Sequence, residues 1–358
     1  MKFPEFFTYF KAFIKACPRE TLESGSRYVF LSDLHMGDGG SKDDLAHNRE
    51  LVETMLSSWY LEKGYTLVLN GDIEDLSKFD LSSIKRAWEV LYTIFNEFYK
   101  RGRLRKIVGN HDLTLLKEKE YPFKLLQGLV LTRDKHKIGV FHGHQASAFY
   151  VKFNNIADFM VRYLAKPLNF KNASISGDSR RTFKAERRIY RASKYLGMVS
   201  ISGHTHRPLF ESLSKYDSLR WAIERDLRSY TGADPVQRTK IEELILLYRK
   251  ELKRLGRKKS KLGLSRSLYE VEDLIIPCVF NSGCATGNTG VSAIEIDGDQ
   301  IRLVHWGEKT AVREYMEREA VGKDELGDDL HVRYVLKQDN LAQVFLRIDL
   351  LGRNLHDS

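Results

Sequence analysis

Cysteine is scarce in this chain: Cys17, Cys278 and Cys284 are the only three in 358 residues. An odd, sparse set gives no disulfide framework, so the fold must rest on a packed core, and a reducing cytoplasm is the expected setting. Long apolar runs are missing as well. None approaches the ~20 residues of a membrane-spanning helix, which excludes that architecture and leaves peripheral contact with an inner membrane as the alternative location. The stretch Met1 to Cys17 is aromatic but interrupted by Lys2, Glu5, Lys11 and Lys15. It shows no small-residue cleavage site, so it does not read as a secretory signal. Internal repeats and low-complexity segments are also lacking.

What remains has the apolar and charged fractions of a globular protein, with a formal net charge of +10. A basic balance suits a phosphate-containing substrate, a nucleic acid or an anionic membrane surface without choosing among them, and a plain solvated surface fits equally.

Short β-forming runs at Arg27 to Ser32, Thr66 to Asn70, Arg105 to Val108, Ile138 to Phe141 and Met198 to Ser202 read as strands. Asp43 to Leu61 and Ser83 to Tyr99 carry apolar residues at helical spacing. Strands alternating with helices predict an α/β fold. Ile276 to Phe280, Val291 to Ile296 and Gln300 to His305 add strands that form a second sheet or complete one. Asp297-Gly298 marks a hairpin. Two helical insertions are expected at about 146–196 and 209–272, the first with an aromatic half followed by a basic half. The second contains a helix over Val236 to Leu255 that ends in the basic run Arg254 to Lys261. Residues 1–24 form an amphipathic helix, either docked on the core or lying at an interface. Residues 25–310 form the main domain. Residues 311–358 form an extension: a helix to Glu319, a polar break over Gly322 to Asp329, and strand-like runs at Val332 to Leu336 and Val344 to Ile348.

Five clusters of metal-binding residues follow the first five strands: Asp33-Leu34-His35, Gly71 to Asp75, Gly109-Asn110-His111-Asp112, His142-Gly143-His144 and Gly203-His204-Thr205-His206. Read singly, each is a turn or a hydrogen-bonded histidine. In an α/β fold, however, the loops at the carboxyl ends of the strands converge on one rim. Together the clusters supply the mixed oxygen and imidazole donors that suit manganese, iron or zinc better than calcium. Two divalent metals side by side are a device for cleaving phosphate esters. A hydroxide held between them is the expected nucleophile, and a carboxylate is the expected bridge.

Order, spacing and residue type of the five clusters resemble those of the calcineurin-like metallophosphoesterases, over about Tyr28 to Arg207. The resemblance implies two packed β-sheets flanked by helices and two bound metal ions, manganese first, with iron or zinc as alternatives. It implies Asp33, His35 and His206 on one metal, Asn110, His142 and His204 on the other, and Asp72 between them. It places His111 at the leaving group, with Asp112 orienting its imidazole and Asp75 just outside the ligand set. Arg207 is a candidate phosphate contact and His144 a candidate substrate contact. Cys284 lies in a glycine-flanked loop after a strand, which reads as a plain turn first and as a loop approaching the site second. The function implied is hydrolysis of a phosphodiester or pyrophosphate. A narrower similarity, to the UDP-2,3-diacylglucosamine pyrophosphatases, rests on Asp33-Leu34-His35, Gly203 to Pro208 and the apolar insertion. His111 departs from it, because that family places an arginine there. A nuclease or cyclic-nucleotide phosphodiesterase, and a non-catalytic scaffold that keeps the fold, are the other readings.

Overall fold

A computed structural model describes residues 3–147, 179–262, 275–287, 290–310, 313–326 and 330–352. The strands are β1 (Arg19–Thr21), β2 (Arg27–Leu31), β3 (Thr66–Asn70), β4 (Leu104–Ile107), β5 (Leu125–Leu126), β6 (Leu129–Arg133), β7 (His136–Val140) and β8 (Val199–Ser202). They continue as β9 (Leu209–Phe210), β10 (Leu213–Ser214), β11 (Val279–Asn281), β12 (Val291–Asp297), β13 (Gln300–Glu308), β14 (Gly322–Glu325) and β15 (His331–Asn340). Among the described residues they make two sheets, in the orders β1-β6-β7-β8-β11-β9-β10 and β14-β15-β13-β12-β2-β3-β4-β5. The fold class is therefore α/β with two sheets flanked by helices, as expected.

The sheets pack face to face. Phe30, Val68 and Ile107 of one share a buried core with Val130, Ile138, Val140 and Ile201 of the other. Helices close both outer faces. Arg49–Thr54, which runs on into a π-helical segment to Leu61, covers the eight-stranded sheet together with Leu81–Ala87 and Glu89–Lys100. Phe3–Ala16 and Ser179–Leu196 cover the other sheet. The N-terminal helix thus docks on the core through Phe6, Phe10, Phe13 and Ile14, the intramolecular one of its two expected readings. No described helix is long and apolar enough to cross a membrane.

Several boundaries differ from the sequence expectation, each for a local reason. The single helix expected over Ser83 to Tyr99 is broken at Trp88, whose buried indole N–H donates to Gly37 O (3.1 Å) and Asp43 Oδ2 (2.9 Å). Val344 to Ile348 is not a strand but lies within the helix Leu341–Leu351. Asn340 caps that helix by accepting from the Ala342 N–H, and Leu341, Val344, Phe345 and Ile348 form its buried stripe. The polar break after Gly322 contains β14, an edge strand whose charged residues suit a solvent-facing rim. Leu209 to Ser214, expected within the second insertion, pairs into the seven-stranded sheet instead. The insertion's own helices are Lys215–Tyr230 and Pro235–Leu262. The hairpin at Asp297-Gly298 is as expected, with Asp297 opposite Gln300. The aromatic half of the first insertion, 148–178, lies outside the described residues.

Candidate metal centre

Two sets of three parallel strands end at one place. β2, β3 and β4 run parallel in one sheet, and β7, β8 and β11 run parallel in the other. The turns leaving them carry Asp33 and His35, Asp72, Asn110 and His111, His142, and His204 and His206. Backbone bonds stitch neighbouring turns together: Asp33 N–H to Gly71 O, His35 N–H to Asp72 O and Gly203 N–H to His142 O. Five of these residues, Asp33, His35, Asp72, His204 and His206, hold φ between 51° and 69°. That left-handed backbone turns each side chain sharply off its strand end towards the common focus. Gly109 and Gly203 let the turns close. A Cβ on Gly109 would collide with Asp72, and one on Gly203 would collide with Ser32 and Asp33.

The side chains gather into groups. Asp33, His35 and His206 form one group and Asp72, His142 and His204 another, each with its donor atoms within 4.8 Å of one another. Both carboxylates are split in use. Asp33 Oδ2 accepts from the Ser32 hydroxyl (2.5 Å) and the His204 N–H (2.9 Å), while Oδ1 faces His206 Nε2 at 3.2 Å. Asp72 Oδ1 accepts from the His111 N–H (2.8 Å), while Oδ2 lies 3.1 Å from His142 Nε2 and 4.0 Å from His35 Nε2. Asp72 therefore faces both groups with one oxygen.

These residues fit divalent-cation binding. Asn110 Oδ1 and His204 Nε2 are buried and make no hydrogen bond, while Asp33 Oδ1 and His142 Nε2 have His206 Nε2 (3.2 Å) and Asp72 Oδ2 (3.1 Å) beside them. Burying such atoms without partners is costly, and grouping them is more so, unless cations satisfy them. The ring orientation agrees. His142 Nδ1 donates to the Asn70 carbonyl (2.9 Å), which aims Nε2 inwards. Burial, with His142 next, pushes His204 down to about 3, so its imidazole is neutral and free to ligate. Burial also opposes charge on His142, but the Asp72 and Asp33 carboxylates outweigh it and hold the ring up at about 9. A cation at this position must therefore displace a proton.

His111 stands beside the first group, its ring edge-on to His35 with centroids 4.7 Å apart. Its orienting partner is not Asp112. His111 Nδ1 meets Asp75 Oδ1 at 2.9 Å and Ser77 Oγ at 3.0 Å. Asp112 turns the other way, accepting from the Ile73 N–H (3.0 Å), the Gly109 N–H (2.5 Å) and the ammonium of Lys106 (2.6 Å). Lys106 is fully buried and also pairs with Glu74 at 2.8 Å, whose other oxygen accepts from Tyr92 and Tyr121. This charged strut ties the Asp72 turn to the Asn110 turn. The sequence reading missed Lys106 and Glu74, and the one available signal was a lysine inside an apolar strand.

If Asp75 positions the imidazole, Asp75→Asn should slow esters with alkoxide leaving groups about 10–100-fold and 4-nitrophenyl esters far less, since nitrophenolate departs without a proton. Equal loss on both substrates in steady-state assays would refute that role.

Arg207 Nη2 is engaged by Glu186 Oε2 (2.6 Å), joining the Ser179–Leu196 helix to the site. His144 is buried beside His142 and His204. The Cys284 loop approaches the site, the second of its two expected readings, with Cys284 Sγ 3.9 Å from His206 O. Asn281, also missed, fixes the last turn by donating to Gly203 O (2.8 Å) and Thr205 Oγ1 (3.1 Å).

No protein-family model and no curated protein matches the chain. Among solved structures it is similar to Yfce, a phosphoesterase from E. coli, at 14% identity over 77% of this chain and 91% of that one, with a TM-score of 0.32. A conserved Streptococcus pneumoniae TIGR4 protein, a predicted phosphoesterase, gives 13% identity over 79% and 89%, with a TM-score of 0.27. A Vps29 mutant from Entamoeba histolytica gives 12% identity over 80% and 96%, with a TM-score of 0.31.

Proposed function

We propose that the chain is a phosphoesterase dependent on two divalent metal ions, with phosphodiesters or pyrophosphates as substrates. The observation that carries this reading is the convergence of unpartnered buried donor atoms from both sheets on one focus, with a held histidine beside them. Asp33, His35 and His206 would hold one ion, Asn110, His142 and His204 the other, and Asp72 both. Manganese, iron and zinc suit this donor set. Bound there, the pair would neutralise phosphoryl oxygens and activate water.

The chain's own residues do the rest. The buried turns hold the donors rigid and keep bulk water from them. Ser32 and the His204 N–H fix Asp33, and the His111 N–H fixes Asp72. Asp75 and Ser77 hold His111 Nδ1, so Nε2 is the nitrogen left to give a proton to a departing oxygen. With Arg207 engaged by Glu186, a phosphate contact there would have to share the guanidinium.

The test is hydrolysis of bis(4-nitrophenyl) phosphate by metal-stripped protein before and after manganese is added. Restored turnover is expected. Absence of turnover with manganese shown to be bound would refute the catalytic reading in favour of a scaffold.

A further inference from the structure

The second insertion and the C-terminal segment, which the metal centre does not use, meet over a cavity of about 90 Å³. Its walls are the Lys215–Tyr230 helix on one side and Glu314–Glu319 on the other, and its floor is sheet. Phe210, Leu213, Leu219, Leu303, Met316 and Leu336 make the lining almost wholly apolar. An apolar cavity offers water few partners and takes apolar groups, as a ~150 Å³ cavity takes benzene. This smaller one has room for a short alkyl group.

The charge around it is uneven. Lys215 and Lys337 are the cations of the lining. Lys215 sits over the Tyr315 ring at 4.1 Å and shares the Glu251 carboxylate with Arg254 and Arg313, at 2.7, 2.7 and 2.8 Å. Three cations on one carboxylate leave an excess of positive charge beside the cavity. The lining's one acid, Glu319, accepts from the Tyr248 hydroxyl, which fixes its position but leaves its charge, so the lining carries two cations against one anion.

We propose that this cavity binds a small anionic amphiphile, with its alkyl tail among Leu219, Leu303 and Met316 and its carboxylate or phosphate head against Lys215 and Lys337. The site contains none of the seven proposed metal-holding residues. It reaches them only through Pro208, a lining residue two positions after His206. It therefore stands whether or not the metal reading does.

The experiment is saturation-transfer NMR on the full chain with three probes of equal tail: pentanoate, butyl phosphate and butan-1-ol. The protein is stripped of metal so that butyl phosphate reports only on the cavity. Binding of all three is expected, with a Kd on the order of 1 mM for the anions. Pentanoate and butyl phosphate separate a carboxylate from a phosphate preference. Lys215→Met leaves Glu251 with both arginines, so the fold should survive, and it should weaken the anions about tenfold while butan-1-ol is unchanged. Ala222→Phe, which fills the cavity, should abolish binding of all three. Absence of transfer to any probe at ten times that concentration would overturn the proposal, as would binding that persists in Ala222→Phe. Equal weakening of pentanoate and butan-1-ol in Lys215→Met would overturn the head-group assignment.

Discussion

Asp72→Asn should cost the protein most of its metal and hydrolysis on the order of 10³-fold, about 4 kcal/mol of transition-state stabilisation. Asp72 Oδ2 faces both groups, 3.1 Å from His142 Nε2 and 4.0 Å from His35 Nε2, and is nearer to His142 than Asp33 Oδ1 is at 3.9 Å. An amide keeps an oxygen for the His111 N–H but turns an NH₂ towards the focus, where it opposes any cation and offers no lone pair. Metal content after dialysis, measured by atomic emission, should fall clearly below that of the parent, with near-unchanged far-UV circular dichroism. A variant that keeps full metal and full rate would remove Asp72 from its proposed place between the ions.

Lys106→Met should be the most destabilising single change near the site, by about 3–5 kcal/mol. Its ammonium is fully buried between Glu74 and Asp112, which are equally buried. Without it, two carboxylates share one dry space, and burial already holds the Asp112 carboxyl above its usual range despite Lys106. Asp112 would then take up a proton and hold the Ile73 and Gly109 N–H groups less well. Manganese affinity should fall about 10–100-fold alongside stability. Urea unfolding of the metal-free chain measures the first effect and calorimetric titration the second. Lys106→Met combined with Glu74→Gln removes one of the stranded charges and should recover much of the stability. If the single variant unfolds at the parent's urea midpoint, the strut has no structural weight.

The convergence of the proposed ligands was legible because it is written at strand ends: a short apolar run, a turn, then Asp, Asn or His. Such runs are local signals, and α/β topology does the converging. The partner of His111 was not legible. Asp112 is adjacent in sequence, but adjacency says nothing about where a carboxylate points after a tight turn, and Asp75 comes from another strand end. Lys106 reads as a solvent-facing residue of an apolar strand, since both acids that neutralise it lie in other turns. Val344 to Ile348 misled because a short run with four apolar residues around Arg347 fits either period, and only the cap at Asn340 and the stripe from Leu341 decide for helix. β14 carries hardly any apolar content, so no pattern announces it.

The left-handed turns at Asp33, His35, Asp72, His204 and His206 also set a folding cost on the focus. Glycine adopts that backbone freely, whereas a residue with a side chain strains it by roughly 1–3 kcal/mol, with asparagine, aspartate and histidine among the better tolerated. On folding grounds alone glycine would serve better at each turn. Five imidazole and carboxylate side chains are held there instead, so the chain gives up stability to aim polar groups at one point.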